Sequence, residues 1–268
     1  MRLGILTSIE TRHRYFANRL RAELPVVAVG YEQTGYTPVA ISTADLTPEE
    51  ARIVAHHFEE RTRQEEIFFG AHSDFVVGSD SCAVRRLKPG ELNAEATLGF
   101  FESVSVDTVA VFGTNLIKPP LLGRWPGRMI NMHLGLAPYY RGTATNFYPL
   151  LNEEPEYVGA TIHLLDSGID SGPILGHARP TITADDMPHT IGCKAIIAGT
   201  EKMIAVLRDL DRGALTPVPQ WEVPDARLYL RKDYHPRQVV ELYRKLEAGL
   251  IPRYVERAAK GPRQLRLV

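Results

Sequence analysis

Residues 2–8 (RLGILTS) and 26–32 (VVAVGYE) are short apolar runs, and between them Tyr15, Phe16, Leu20 and Leu24 recur at helical spacing. A strand, a helix and a strand within about thirty residues make a βαβ unit. The helix carries the chain back to the end of the sheet where it began, so the two strands lie parallel. The second run is almost continuously apolar, the pattern of a strand buried on both faces. This opening commits the chain to an α/β architecture with helices covering a parallel sheet.

The rest of the sequence extends that plan. Residues 33–46 are polar and read as a loop. A long helix is predicted over 46–70, with Thr47 as N-cap, Pro48 in the first turn, and Glu49 and Glu50 favouring its positive end. A strand over 84–88, a helix over 91–104 and strands over 107–113 and 128–134 follow. A short helix is expected at 146–152. Val158, Ala160, Ile162 and Leu164 then alternate with a period of two across 157–166. The turn cluster SGIDSG (167–172) leads to a strand over 173–180 and a long amphipathic helix over 188–210, closed by Gly213. A Pro-rich connector, the short strand RLYLRK and one helix over 236–259 complete the chain. The basic tail GPRQLRLV is expected to be solvated. The predicted fold is therefore a doubly wound, mostly parallel Rossmann-like α/β sheet in a domain over 1–213. A C-terminal strand–helix extension occupies 214–268. Its helix has two surfaces open to it, its own core or a second subunit in a homodimer.

Charge narrows the choice of partners. Against 31 Lys and Arg stand 32 Asp and Glu among 268 residues, a formal net charge of −1. Such a surface offers no field for nucleic acid or an anionic membrane, so neither is expected as a partner. Cys82 and Cys193 form no C-x-x-C pair, which suits a reducing cytoplasm. The first apolar run is too short for a signal-peptide core or a membrane span. His56, His57, Glu59 and Glu60 stand within one turn on the long helix, but a helix so rich in charge reads as a solvated face. No metal site is expected, there or from His133, His163 and Asp170, because Asn131 beside them has no place among zinc ligands. Arg12, His13 and Arg14 likewise read as solvated residues at a helix start.

The chemistry concentrates in NMHLGLAPYYRG (131–142). Residues i and i+2 of a strand share a face, so Asn131 and His133 at a strand's carboxyl end converge on one point. A catalytic histidine needs a carboxylate. Asp170 in GIDSG, a turn where the backbone approaches a ligand closely, is the best candidate. Asp166 ends the strand and reads as a turn cap. Taken from the residues alone, His163 is a core histidine satisfied by backbone.

NMHLGLAPYYRG followed by GATIHLLDSGIDSGPIL resembles the 10-formyltetrahydrofolate-dependent formyltransferases. That family includes glycinamide ribonucleotide transformylase, methionyl-tRNA formyltransferase and the sugar N-formyltransferases. The resemblance covers residues 75–180 well and the N-terminal βαβ unit loosely. It implies the formyltransferase fold, with Asn131, His133 and Asp170 in the catalytic positions. It implies that FGTNLI, from Phe112 through Gly113, Thr114, Asn115 and Leu116 to Ile117, meets the pterin of 10-formyltetrahydrofolate, and it places His163 and Asp166 near that co-substrate. The turn Tyr139, Tyr140, Arg141, Gly142 and Thr143 is expected to form the acceptor's wall. This chain departs from the pattern at Leu134-Gly135, where the family usually has Pro-Ser, and at Ala137, where it has Leu. The N-terminal loop TSIETRHR also lacks glycines that would cradle a phosphate.

Formyl transfer is acyl transfer: an amine attacks the formyl carbon and charge develops on its oxygen. The expected roles are an amide donor from Asn131, a ring donor from His133, and Asp170 as orienter and proton acceptor. The expected acceptor is a primary amine on a small molecule, such as an amino sugar nucleotide or a biosynthetic intermediate. The tRNA enzymes usually add a basic C-terminal barrel, for which the extension is too short. Two rivals remain. One is a 10-formyltetrahydrofolate hydrolase, whose members carry an extra N-terminal domain. The other is a folate-binding protein without turnover.

Overall fold

The computed structural model describes residues 1–33 and 44–268. Most of the loop expected over 33–46 lies outside the described residues. Strands β1 (Leu3–Ser8), β2 (Val26–Glu32), β3 (Ala83–Leu87), β4 (Thr108–Phe112) and β5 (Met129–His133) pair in parallel. β7 (Ala160–Leu164) and β8 (Ile174–Ala178) add to β5 as antiparallel strands. The seven-stranded order is β3-β2-β1-β4-β5-β7-β8. The chain winds outward from β1 to β3, then restarts at β4 and winds the other way. Strand order therefore reverses between β1 and β4, and ligand crevices of open α/β sheets form beyond the carboxyl ends at such a point.

Helices α1 (Thr11–Glu23), α2 (Pro48–Phe69) and α5 (Pro188–Asp211) cover one face. Leu3, Ile5, Val29, Ile130, Met132 and Ile162 point into that layer with Phe16, Leu20 and Met203. Helix α3 (Glu95–Ser103) covers the other face over β1–β4, where Leu6, Val109 and Val111 meet Phe101 and Trp125. Thr47 caps α2 through a capping box with Glu50, as its sequence foretells. Helix α3 begins later than its periodicity suggests, because Thr97 Oγ1 donates to the Glu91 carbonyl and the chain turns there first.

Alternation decides the site. Ile130 and Met132 of β5, and Ala160 and Ile162 of β7, enter the core beneath α5. Asn131, His133, Thr161 and His163 therefore share the opposite face. In the sheet register Asn131 lies opposite His163, and His133 opposite Thr161.

The C-terminal extension is stitched to the core. Val218 exchanges hydrogen bonds with Ile174 at the sheet edge, both 2.8 Å. A short strand unseen in the sequence, β6 (Tyr140–Gly142), pairs in parallel with β9 (Arg227–Tyr229). Tyr229 stacks on Tyr148 of the short helix α4 (Tyr148–Leu151), with 3.5 Å between ring centroids. The single final helix expected from the sequence is two, α6 (Pro236–Glu247) and α7 (Leu250–Lys260), broken at Gly249 with φ +83°. Val239, Val240 and Leu242 of α6 are buried against this chain's own core. Most of the tail is exposed, as expected, but its end is tied to the core: a Val268 backbone oxygen accepts from the His177 backbone N–H at 2.7 Å, and Arg266 lies 4.2 Å from the Trp221 ring. No helix among the described residues is long and apolar enough to cross a membrane.

Candidate active site

Asn131 and His133 end β5 on the face that α5 does not cover, and the turn after β7 brings Asp170 to them. Asp170 Oδ2 stands 3.2 Å from His133 Nδ1, and Oδ1 stands 3.5 Å from His163 Nε2. His163 Nδ1–H donates to the Leu164 carbonyl at 2.8 Å, so in the neutral ring Nε2 accepts. The Asn131 amide donates to that nitrogen at 3.1 Å, which fixes the amide and leaves its second N–H for the cavity.

Asp170 is held from three sides. The Gly142 N–H donates to its carboxylate at 3.0 Å, and Gln220 of the extension donates to its backbone carbonyl at 2.7 Å. Its φ of +47° is a conformation that costs a non-glycine residue about 1–2 kcal/mol, so these contacts keep a strained residue in place. Burial works to raise the Asp170 carboxyl. The facing His133 ring and the Gly142 N–H work against it, and the group is held down to about 2.

His133 is surrounded by acceptors. Nδ1 faces Asp170, and Nε2 lies 3.1 Å from the Tyr140 carbonyl and 3.3 Å from Thr145 Oγ1. The Thr145 hydroxyl donates to the Leu134 carbonyl, which leaves its oxygen free to accept from the ring. Burial pushes the ring below its ordinary value, against the upward pull of Asp170. A neutral ring serves one of these acceptors and an imidazolium serves both sides. Negative charge arriving beside it therefore tips the ring towards the charged form.

The departure at Gly135 has a steric reason. A Cβ there would stand 2.6 Å from His133 Nε2 and 2.8 Å from Thr145 Oγ1. Thr145 occupies the space a side chain at 135 would need.

Asn131, His133 and Asp170 line one cavity of about 800 Å³ beyond the strand ends. Phe112, Gly113, Thr114, Asn115, Leu116 and Ile117 all line it, as do Gly142 and Thr143. The Phe112–Ile117 loop is preset, because the Asn115 N–H and side-chain amide both donate to the Glu32 carboxylate, at 2.9 and 2.8 Å. Leu116 is 61% exposed at the mouth, and Leu165 and Ile169 complete an apolar wall.

Other expected residues lie elsewhere. His163 sits behind the Asn131 amide. It is a buried histidine satisfied by the Leu164 backbone, as the residues alone suggest, and it also orients the Asn131 amide in front of it. Asp166 is exposed and caps its turn, accepting from the Gly168 N–H at 3.0 Å and the Ser171 hydroxyl at 2.9 Å. Tyr140 turns its ring into the core, where its hydroxyl donates to Glu154 and only its carbonyl meets the site. Tyr139 packs on Tyr157 and Trp221. Arg141 lines a separate pocket with Gln220 and Trp221. Three residues of the expected acceptor wall thus face away from the cavity, because β6 pairs with β9 and that pairing fixes their directions.

Of the residues read as solvated at the start of α1, Arg12 and His13 are part of the site, while Arg14 lies over the Phe75 ring. His13 is 2% exposed, bound to Glu10 at 2.5 Å and set against the Phe112 ring. Arg12 pairs with Glu65 at 2.7 Å, and both line the cavity. The α2 face is not wholly solvated either: His57 is buried and lines the cavity with Arg61. Leu230, Lys232 and Tyr234 bring the extension into the wall. Among the described residues no group of three or more His, Cys, Asp or Glu is placed to hold a metal ion.

The sequence profile of the formyl transferase family matches residues 47–207. The methionyl-tRNA formyltransferase of Synechococcus sp. (strain JA-3-3Ab) is 33% identical over 135 residues, which cover 50% of this chain and 42% of that protein. That of Thermodesulfovibrio yellowstonii is 29% identical over 140 residues, 52% of this chain and 45% of the relative. The chain thus matches less than half the length of these curated relatives. Among solved structures, a sugar N-formyltransferase from a Shewanella species superposes with TM-score 0.56 at 16% identity, covering 92% of this chain and 88% of that one. Phosphoribosylglycinamide formyltransferase from Anaplasma phagocytophilum superposes with TM-score 0.55 at 16% identity, covering 85% and 97%. These two share the fold. The profile spans more than half of the sequence and contains Asn131, His133 and Asp170, and the chain belongs to the formyl transferase family.

Proposed function

We propose that this protein is an N-formyltransferase that moves the formyl group of 10-formyltetrahydrofolate to a primary amine of a small-molecule acceptor. The observation that carries the reading is the convergence of Asn131, His133 and Asp170 on one cavity, with Asp170 Oδ2 3.2 Å from the His133 ring.

The residues present suit the co-substrate. Leu116, Ile117, Leu165 and Ile169 give a flat ring an apolar wall, and the preset loop 112–117 offers it backbone donors and acceptors. When bound there, 10-formyltetrahydrofolate supplies the formyl carbon. Asn131 presents its free amide N–H to the oxygen where charge develops. His133 presents a ring edge that becomes a stronger donor as that charge grows. Asp170 orients the ring and, already ionised, is the base that takes the amine's proton, directly or through water. No nucleophilic side chain is needed, and both cysteines are buried.

A small acceptor is favoured by the extension. Residues 230–234 and α2 close the cavity to about 800 Å³. We place the division between catalytic domain and extension at 213/214, with the extension contributing Gln220 and this wall to the site.

A panel of primary amines incubated with 10-formyltetrahydrofolate and read by mass tests the reading. At least one amine gains a formyl group with the wild type and none with Asp170→Asn. Release of formate with no amine modified would indicate a hydrolase, and the proposal would fail.

A further inference from the structure

The cavity has a second polar wall that the chemistry above does not use. His57 of α2 and His189 of α5 meet across it, with His189 Nε2 3.2 Å from His57 Nδ1 and the ring centroids 4.3 Å apart. Each ring commits one nitrogen to that contact, the His189 ring also bonds to the His57 backbone, and the second nitrogen of His57 has no hydrogen-bond partner among the described residues. Arg61, one turn beyond His57, lines the same cavity. Its guanidinium lies over the Phe58 ring at 5.5 Å and pairs with no carboxylate among the described residues. Glu65, the acid on this stretch of wall, is neutralised by Arg12 at 2.7 Å.

Among the described residues this stretch of wall therefore holds a positive charge without a carboxylate partner, that of Arg61, partly desolvated and flanked by two imidazoles. Burial pushes His57 down to about 3 and His189 to about 4, with the Arg61 charge adding to both shifts. Both rings are then neutral at ordinary pH, and His57 keeps a nitrogen for hydrogen bonding. A guanidinium taken partly out of water without a counter-ion is costly, and an anion brought to it recovers that cost. Its planar fork matches two oxygens of a phosphoryl or carboxyl group. An anion would also favour protonation of the rings beside it, turning neutral neighbours into further donors.

We propose that Arg61, with His57 and His189 beside it, is the subsite that holds an anionic group, phosphoryl or carboxyl, on the amine acceptor. This rests on the formyl-transfer reading for the identity of the ligand, since the folate is assigned to the loop at residues 112–117. It does not rest on that reading for the existence of the anion site.

The test is calorimetric titration of the full chain at one pH with inorganic phosphate, with acetate, and separately with tetrahydrofolate. The wild type binds at least one of the two anions, and the tighter one names the acceptor's group. Arg61→Gln weakens anion binding at least tenfold, Arg61→Lys restores part of it, and tetrahydrofolate binds all of them alike. Arg61→Leu, which keeps the apolar contact with Phe58, replaces Arg61→Gln if the latter melts early. Anion binding that survives loss of Arg61, or is lost with Lys232→Gln instead, overturns the proposal, as does a wild type that binds neither anion. Arg61-dependent anion binding without any tetrahydrofolate binding would uphold the anion site and sink the formyl-transfer reading.

Discussion

His133 owes its position to oxygen atoms on both sides, the Asp170 carboxylate at Nδ1 and the Tyr140 carbonyl and Thr145 hydroxyl at Nε2. Replacing Asn131 by Ala removes one donor from the developing charge and is expected to lower kcat roughly a hundredfold to a thousandfold. His133→Ala and Asp170→Asn should be at least as costly, with melting temperatures close to wild type. Asp170→Asn also removes the charge that pulls the His133 ring up, so any surviving activity should show its ring-protonation limb at lower pH. Thr145→Val keeps the shape and deletes the hydroxyl. A drop in kcat of about threefold to tenfold, with Thr145→Ser near wild type, is the size expected of one neutral hydrogen bond. An unchanged pH–rate profile in Thr145→Val would show that its hydroxyl does not bear on the ring. Asn131, His133 and Asp170 were visible in the sequence because strand alternation and a turn cluster announce them. Thr145 was not: it follows a different turn, and nothing local says that its hydroxyl reaches back to a histidine twelve positions earlier.

At the scale of elements, the site depends on a pairing that sequence patterns do not show. Strand β6 has three residues and its partner β9 lies far along the chain, so neither has enough length to display a period. Gly142 marks the contact. Its φ is +92°, and a Cβ there would stand 2.0 Å from the Tyr229 carbonyl oxygen. Gly142→Ala should therefore force β6 from β9, lowering the melting temperature and displacing the N–H that binds Asp170, with activity lost even below the melting transition. Gln220→Leu tests the connector. It releases the Asp170 and Gly172 carbonyls, and a fall in kcat with stability little changed would show that the extension positions the catalytic turn. The break between α6 and α7 has a local mark, Gly249 followed by Pro252, which the single helix expected over 236–259 passes over. A continuous apolar period on both sides of the break obscured it.

For the whole molecule, the βαβ opening and the valine-rich strands were enough to imply the doubly wound sheet, because parallel strands carry their burial in their composition. How α2, α5 and the extension close over the strand ends was not legible, since charged helices look alike whether they face water or a polar cavity. That closure buries three histidines, with burial driving His13 to about 4, His57 to about 3 and His189 to about 4. Their folded values lie below the unfolded value, so the unfolded chain takes up protons first as pH falls below about 6.5. Stability is then fully present above that pH and declines towards pH 4, at about 1 kcal/mol per pH unit for each fully coupled ring. Melting curves from pH 7 to 5 should show this slope, reduced in His13→Gln.

The central claim is that Asn131, His133 and Asp170 form one formyl-transfer centre. Its most direct test is transfer from 10-formyltetrahydrofolate labelled in the formyl carbon, followed in the wild type and the three single variants with an accepting amine. The account predicts label on the amine and tetrahydrofolate in equal amounts for the wild type, and a loss of a hundredfold or more for each variant. Two variants transferring label at close to the wild-type rate would contradict it.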